Sequence, residues 1–467
     1  MRRLLPLLLL TGCLDFDHFL RLPPSDSGVP EDLLLIDAAA FPPSDSGVPE
    51  DLLLIDATAF PIDAASSPPD LAPKPIGSIT FASPNTMTLS QCQSISALTS
   101  GYFDKIGNHR GLAVACQGAK PGNQIMDEGV VIAMVTSAPQ VHPVQIAQTS
   151  RISGTHSINY PLEIAAGRLD SDNYPDLALG TRWNLQGLKG NGDGTFAAPT
   201  IIAQNNNAYE LVTSSPAQGN PVLAVGDFNG AGIDDIAMAA LLPGSIPGLM
   251  LRVDTSITTF KLAGTVWNRM ILANFDGPHV ALLMATVAPQ HSLGVMIKNQ
   301  NLLEEIFGYN APGENQDAAA ADFNGDGKTD LVWGYNTTTD MGEPEGSFIL
   351  SFNQGAGIFS PNQIFPTKAK GKRVGFRRLA TADFNSDGKI DLAVYTYNGG
   401  YVLVYPNTGD YTNGGKNIFA SDPLVFPVAW QSSGASMVTD DLDQDGRPDI
   451  VLSFPNSLLI ALINETP

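Results

Sequence analysis

Three nine-residue stretches, Asp322–Asp330, Asp383–Asp391 and Asp441–Asp449, share the pattern Asp-x-Asn/Asp-x-Asp-Gly-x-x-Asp. Side-chain oxygens fall at positions 1, 3, 5 and 9. They are Asp322, Asn324, Asp326 and Asp330, then Asp383, Asn385, Asp387 and Asp391, then Asp441, Asp443, Asp445 and Asp449. With the main-chain carbonyls of Lys328, Lys389 and Arg447 at position 7, these oxygens make the cage that a hard cation such as Ca²⁺ requires. Glycine at position 6 permits the sharp turn. Gathering three or four carboxylates is costly unless a cation joins them. A fully coordinated Ca²⁺ offers no open position to a substrate, so the chemistry expected is stabilisation.

The elements that present these loops must be strands. An EF-hand needs a bidentate Glu at position 12 and flanking helices, but position 12 is Trp333, Val394 and Leu452. The residues after position 9, Leu-Val-Trp, Leu-Ala-Val and Ile-Val-Leu, are β-rich runs of the kind found in buried strands. With these loops, their strand continuations and the phrase Asn191-Gly-Asp-Gly-Thr-Phe196, the sequence resembles the FG-GAP/VCBS repeat family of integrin α-subunit heads and many bacterial surface proteins.

Weaker copies precede the three. One keeps Asp227, Asn229 and Asp235 but has Ala231 at position 5; another keeps Asp170, Asp172 and Asp176 but has Arg168 at position 1. Shortened versions surround Asp104 and Asp276. Taking Asp104, Asp170, Asn229, Asp276, Asn324, Asn385 and Asp443 as equivalent, the repeats are 47 to 66 residues apart. Units of that size hold about four short strands. The expected fold is an all-β, seven-bladed β-propeller of about four antiparallel strands per blade over residues 77–467, with an open solenoid as the alternative. The last unit is one strand short, and residues 78–87 repeat an outer-strand phrase, so an N-terminal strand is expected to close the ring. Three Ca²⁺ sites are expected, rising to five if the Asp227 and Asp170 loops also bind.

Residues 1–12, a basic start and a short apolar run ending in Leu-Thr-Gly before Cys13, resemble a bacterial lipoprotein signal. That resemblance implies export, a lipid on Cys13 and a place at the cell envelope, outer membrane or surface. The run is too short to span a bilayer. Residues 13–76 are proline-rich and acidic, and Pro23–Phe41 recurs as Pro42–Phe60 with Ala39 exchanged for Thr58. This composition favours an extended tether, although Leu33–Ile36 and Leu52–Ile55 could dock. In an exported chain the two remaining cysteines, Cys92 and Cys116, read as a disulfide across a hairpin.

A net charge of −22 without a strong basic cluster disfavours nucleic acid as a partner. Lys368–Arg378 is the single basic run. There is no HExxH, GxSxG, P-loop or Cys/His metal spacing, so no enzyme is expected. The face opposite the calcium turns carries Trp183, Tyr335 and Tyr397 beside Asn and Arg, a mixture suited to a carbohydrate or protein ligand. The chain is thus expected to be a calcium-binding recognition or adhesion module. A calcium-stabilised lectin and a polysaccharide-acting propeller enzyme are the alternatives.

Overall fold

The computed structural model describes residues 79–466 except 91, 106–108, 120–124, 138–139, 149–160, 182–183, 205–222, 228, 243–245, 262–266, 277–278, 287–291, 300–301, 311–313, 339–343, 356–357, 361–362 and 430–435. The leader, the tether, Cys13 and Trp183 lie outside the described residues. The chain divides into Met1–Pro69 and Asp70–Pro467, and every described residue belongs to the second unit.

This unit is an all-β propeller whose described residues turn helical only at Thr412–Gly415. Its four-stranded antiparallel sheets follow one another along the chain, and in all but the last the strands run in sequence order. They span residues 92–148, 161–204, 223–261, 267–310, 314–366 and 376–427, each beginning with an inner strand such as Glu314–Ala321 and ending with an outer one such as Gln363–Pro366. A last sheet combines Ser436–Asp440, Asp449–Phe454 and Leu458–Leu462 with Asn85–Thr88. Asn85 stands opposite Ala461 and Thr88 opposite Leu458. Backbone bonds extend this pairing, from Ala82 N to Ile463 O (2.8 Å) and from Glu465 N to Thr80 O (2.9 Å).

The sequence pattern explains the layering. Second strands are covered on both faces by neighbouring sheets, so all six residues of Asp391–Thr396 and of Asp449–Phe454 are buried. That is why they read as apolar runs rather than as alternations. First strands are rich in small residues, as in Ala318–Ala321 and Leu379–Ala382, which permits close packing of inner edges. Outer strands meet solvent: Ile201 and Ile364 are exposed, and Pro366 and Pro427 blunt the free edges.

The core is a series of layers between successive sheets. Ala393, Tyr395 and Val402 meet Ile450, Leu452 and Phe454, and Val332 and Phe348 meet Leu379, Val394 and Leu403. Position 2 of each acidic loop takes part in these layers. Phe323, Phe384 and Leu442 are almost wholly buried, each among side chains that include those of the following sheet. Each loop is thereby anchored by one apolar plug. Cys92 and Cys116, on the first two strands of the 92–148 sheet, form a disulfide with Cα atoms 5.6 Å apart.

Candidate metal centre

The three intact loops join the first strand of a sheet to its second, and all have the same internal wiring. At position 1, Asp322 Oδ1 accepts from the N–H groups of Gly325 (2.7 Å) and Asp326 (3.2 Å), and its Oδ2 accepts from Gly327 (2.8 Å). Asp383 and Asp441 accept from the corresponding N–H groups at positions 5 and 6. At position 3, Asn324, Asn385 and Asp443 accept from the N–H at position 5. At position 5, Asp326, Asp387 and Asp445 accept from the N–H at position 7. The backbone thus curls around the carboxylates and fixes their oxygens before any ion arrives.

Two residues of each loop have positive φ. Position 6 is Gly327, Gly388 and Gly446, at φ of 80°, 82° and 87°. Position 4 is Gly325 in the first loop, but Ser386 (φ 55°) and Gln444 (φ 62°) in the others. Sequence reading identified the first requirement and missed the second.

Position 9 has a double role. Asp330 Oδ2 accepts from Phe323 N (3.0 Å) and its Oδ1 from Asn353 N (2.8 Å). Asp391 is bonded in the same way by Phe384 and Asn407, and Asp449 by Leu442 and Asn464. Burial, opposed by these N–H bonds and reinforced by neighbouring carboxylates, pushes all three carboxyls up to about 7. A cation beside them would relieve that cost. Position 7 side chains turn back on position 5: Lys328 lies 3.3 Å from Asp326, Lys389 lies 2.8 Å from Asp387, and Arg447 pairs with Asp445.

The oxygen-only donor set fits a hard divalent cation. In the last loop the Asp441, Asp443 and Asp449 oxygens lie within 4.8 Å of one another. Asp322, Asn324, Asp326 and Asp330, their counterparts in the other two loops, and the position 7 carbonyls would hold such an ion. It would supply charge neutralisation and a fixed turn. The Asp227 loop fits less well. Ala231 leaves position 5 without a ligand, although Asp227 accepts from the N–H groups of Gly232, Gly230, Ala231 and Asn229 much as Asp322 does within its own loop. Those bonds overcome burial and hold its carboxyl below the usual range.

Asparagines just past the third strand complete the site, and sequence reading missed them. Asn407 Nδ2 donates to Phe323 O (2.8 Å), in the preceding sheet's loop, and to Ile390 O (3.1 Å) in its own. Asn464 Nδ2 repeats this with Phe384 O (2.8 Å) and Pro448 O (3.1 Å). The recurring Asn-x-Gly of Asn353–Gly355 and Asn407–Gly409 was the available signal.

On the other face, Tyr397 is 41% exposed with the Arg377 guanidinium 5.0 Å from its ring centre. Tyr335 corrects the sequence expectation. At 5% exposure it packs with Leu331, Trp333 and Ile349, so its ring belongs to the core and offers a ligand almost no surface.

Residues 322–394 and 383–452 match the family model described as "FG-GAP-like repeat", so this part of the chain carries FG-GAP-like repeats. No curated protein matches the chain in sequence. Among solved structures, the chain is similar to one in the crystal structure of BBS1N in complex with ARL6DN, soaked with mercury. That match has 9% identity and a TM-score of 0.49, and covers 82% of this chain and 96% of that one. The N-terminal domain of Nup159 is also similar, with 8% identity and a TM-score of 0.43, covering 83% and 95%.

Proposed function

We propose that residues 77–467 form a seven-bladed ring stabilised by Ca²⁺ and serve as a recognition or adhesion module for an extracellular carbohydrate or protein. In this reading the chain is exported, and a lipid on Cys13 holds it at a bacterial cell envelope through the acidic tether. The observation that carries the calcium reading is the same hydrogen-bonded loop of oxygen donors, built at the same turn of three successive sheets. The ring is supported by contacts of inner strands with one another in chain order, and by Ser436–Asp440 returning to Cys92–Asp104. The pairing of Asn85–Thr88 with the last sheet supports closure by an N-terminal strand.

Recognition is favoured over catalysis because the acidic residues are wired into turns. Tyr397 with Arg377, on the face away from those turns, is the exposed aromatic to which a ligand would come. A screen of glycans, polysaccharides and matrix proteins, run with Ca²⁺ and with chelator, tests the reading. The expected result is a ligand whose binding weakens in Tyr397→Ala and is lost with chelator as the loops loosen. A ligand held equally by that variant would overturn the assignment of the face. Recovery of Cys13→Ser protein in the membrane fraction would overturn the lipid anchor.

A further inference from the structure

The Arg168–Asp176 loop differs from its sisters at two positions that the structure brings into one comparison. Position 1, an Asp at 227, 322, 383 and 441, is Arg168 here. The second difference emerges from the bonds to position 9. In five loops the Oδ1 of that Asp accepts the N–H of a residue just past the third strand. The pairs are Asp330 with Asn353, Asp391 with Asn407, Asp449 with Asn464, Asp235 with Asp254, and Asp176 with Gly190. The residue immediately before is Phe352, Pro406, Ile463 and Val253 in the first four, and Lys189 in the fifth.

Lys189 reaches into the cage. Its Nζ stands 2.5 Å from Asp170 Oδ2 and 2.9 Å from Asp172 Oδ2, bridging positions 3 and 5. The basic side chains of the intact loops arise from position 7 instead, and their ion pairs described above are with position 5. Arg168 turns away to the Gly232 carbonyl of the next loop, so the loop has lost its first carboxylate as a ligand and acquired a cation from elsewhere. Asp170, Asp172 and Asp176 still bring their oxygens within 4.8 Å of one another. An ammonium with three donors can join two carboxylates, whereas Ca²⁺ would need six to eight oxygens in the same space.

We infer that the Lys189 ammonium is the resident cation of this loop, leaving its turn independent of metal and the Asp170–Asp172–Asp176 set a latent calcium site. The inference rests on the calcium reading of the intact loops, because it concerns the repeat that departs from them. Arg168→Asp with Lys189→Ile restores at both positions the residue types found in the sister loops.

Bound Ca²⁺ is counted by equilibrium dialysis of the full chain. Asp170→Asn/Asp172→Asn should leave the wild-type count unchanged, and Arg168→Asp/Lys189→Ile should add one ion per chain. A count lowered by the first variant, or not raised by a second variant of wild-type circular dichroism, would overturn the inference. Melting in EDTA gives a second readout that needs no metal. Lys189→Met should melt below wild type there and recover with Ca²⁺; an unchanged melt would equally overturn it. A wild-type count of zero would sink the calcium reading alone, because the EDTA melt still reports on Lys189.

Discussion

Buried carboxyls at position 9 give the propeller a pH dependence whose sign should depend on metal. Asp330, Asp391 and Asp449 are 0% exposed, and their folded-state pKa of about 7 stands above the ordinary 3.8. Between those two values the folded chain holds more protons than the unfolded chain. Without metal, the resulting stabilisation is therefore fully present below the unfolded value and is lost as pH rises through about 7. Going from about pH 5.5 to about pH 7.5 in EDTA should cost about 2 kcal/mol per loop, or roughly 6 kcal/mol for the three. Saturating Ca²⁺ should reverse the slope, because protons then compete with the metal for the same oxygens. Urea unfolding at both pH values, in EDTA and in Ca²⁺, measures both slopes. General repulsion in a chain of net charge −22 acts in both series, so their difference isolates the loops. Parallel slopes, or stability that climbs with pH in EDTA, would refute the reasoning.

Other perturbations test the scaffold. Asn464→Ala strips a donor from the Phe384 and Pro448 carbonyls and should cost about 1–3 kcal/mol by urea unfolding; an unchanged midpoint would remove it as a staple. Gly334→Ala would place a Cβ 2.0 Å from the Phe376 ring. It should cost about 1–3 kcal/mol by overpacking, and a neutral thermal shift would show that the ring yields freely. Replacing Cys92 and Cys116 by Ser opens a crosslink spanning 24 residues. The expected loss is about 3 kcal/mol, and equal melts of the variant and the oxidised protein would contradict that. Gly388→Ala meets no atom within 4 Å but sits at φ 82°, so its cost, about 1–2 kcal/mol, should be backbone strain alone and should persist in EDTA.

The acidic loops were legible because their side chains bond to backbone a few residues away, which fixes residue type at fixed spacing. Their strand continuations were legible because double-sided burial leaves an apolar run. Tyr335 was misread for a related reason. A tyrosine next to Asn336 looks like a polar rim, yet its strand is still sandwiched between sheets at that point. Asn407 and Asn464 escaped notice because their partners, Phe323 and Phe384, lie 84 and 80 residues away; the short Asn-x-Gly at Asn407 does not name such a partner, and Asn464 lacks the glycine. Lys189 belongs to no sequence motif, and only the bond from Gly190 to Asp176 sets it beside Phe352, Pro406, Ile463 and Val253.

The position 2 carbonyls also impose an order in time. Phe323 O waits for Asn407 and Phe384 O for Asn464, while Phe103 O accepts Gly194 N from the sheet that follows it. Each of these loops is therefore finished by a sheet the ribosome has yet to make. A nascent chain halted after one sheet would display its newest acidic turn with a carbonyl still uncapped, and that turn would mature only when the next sheet arrives.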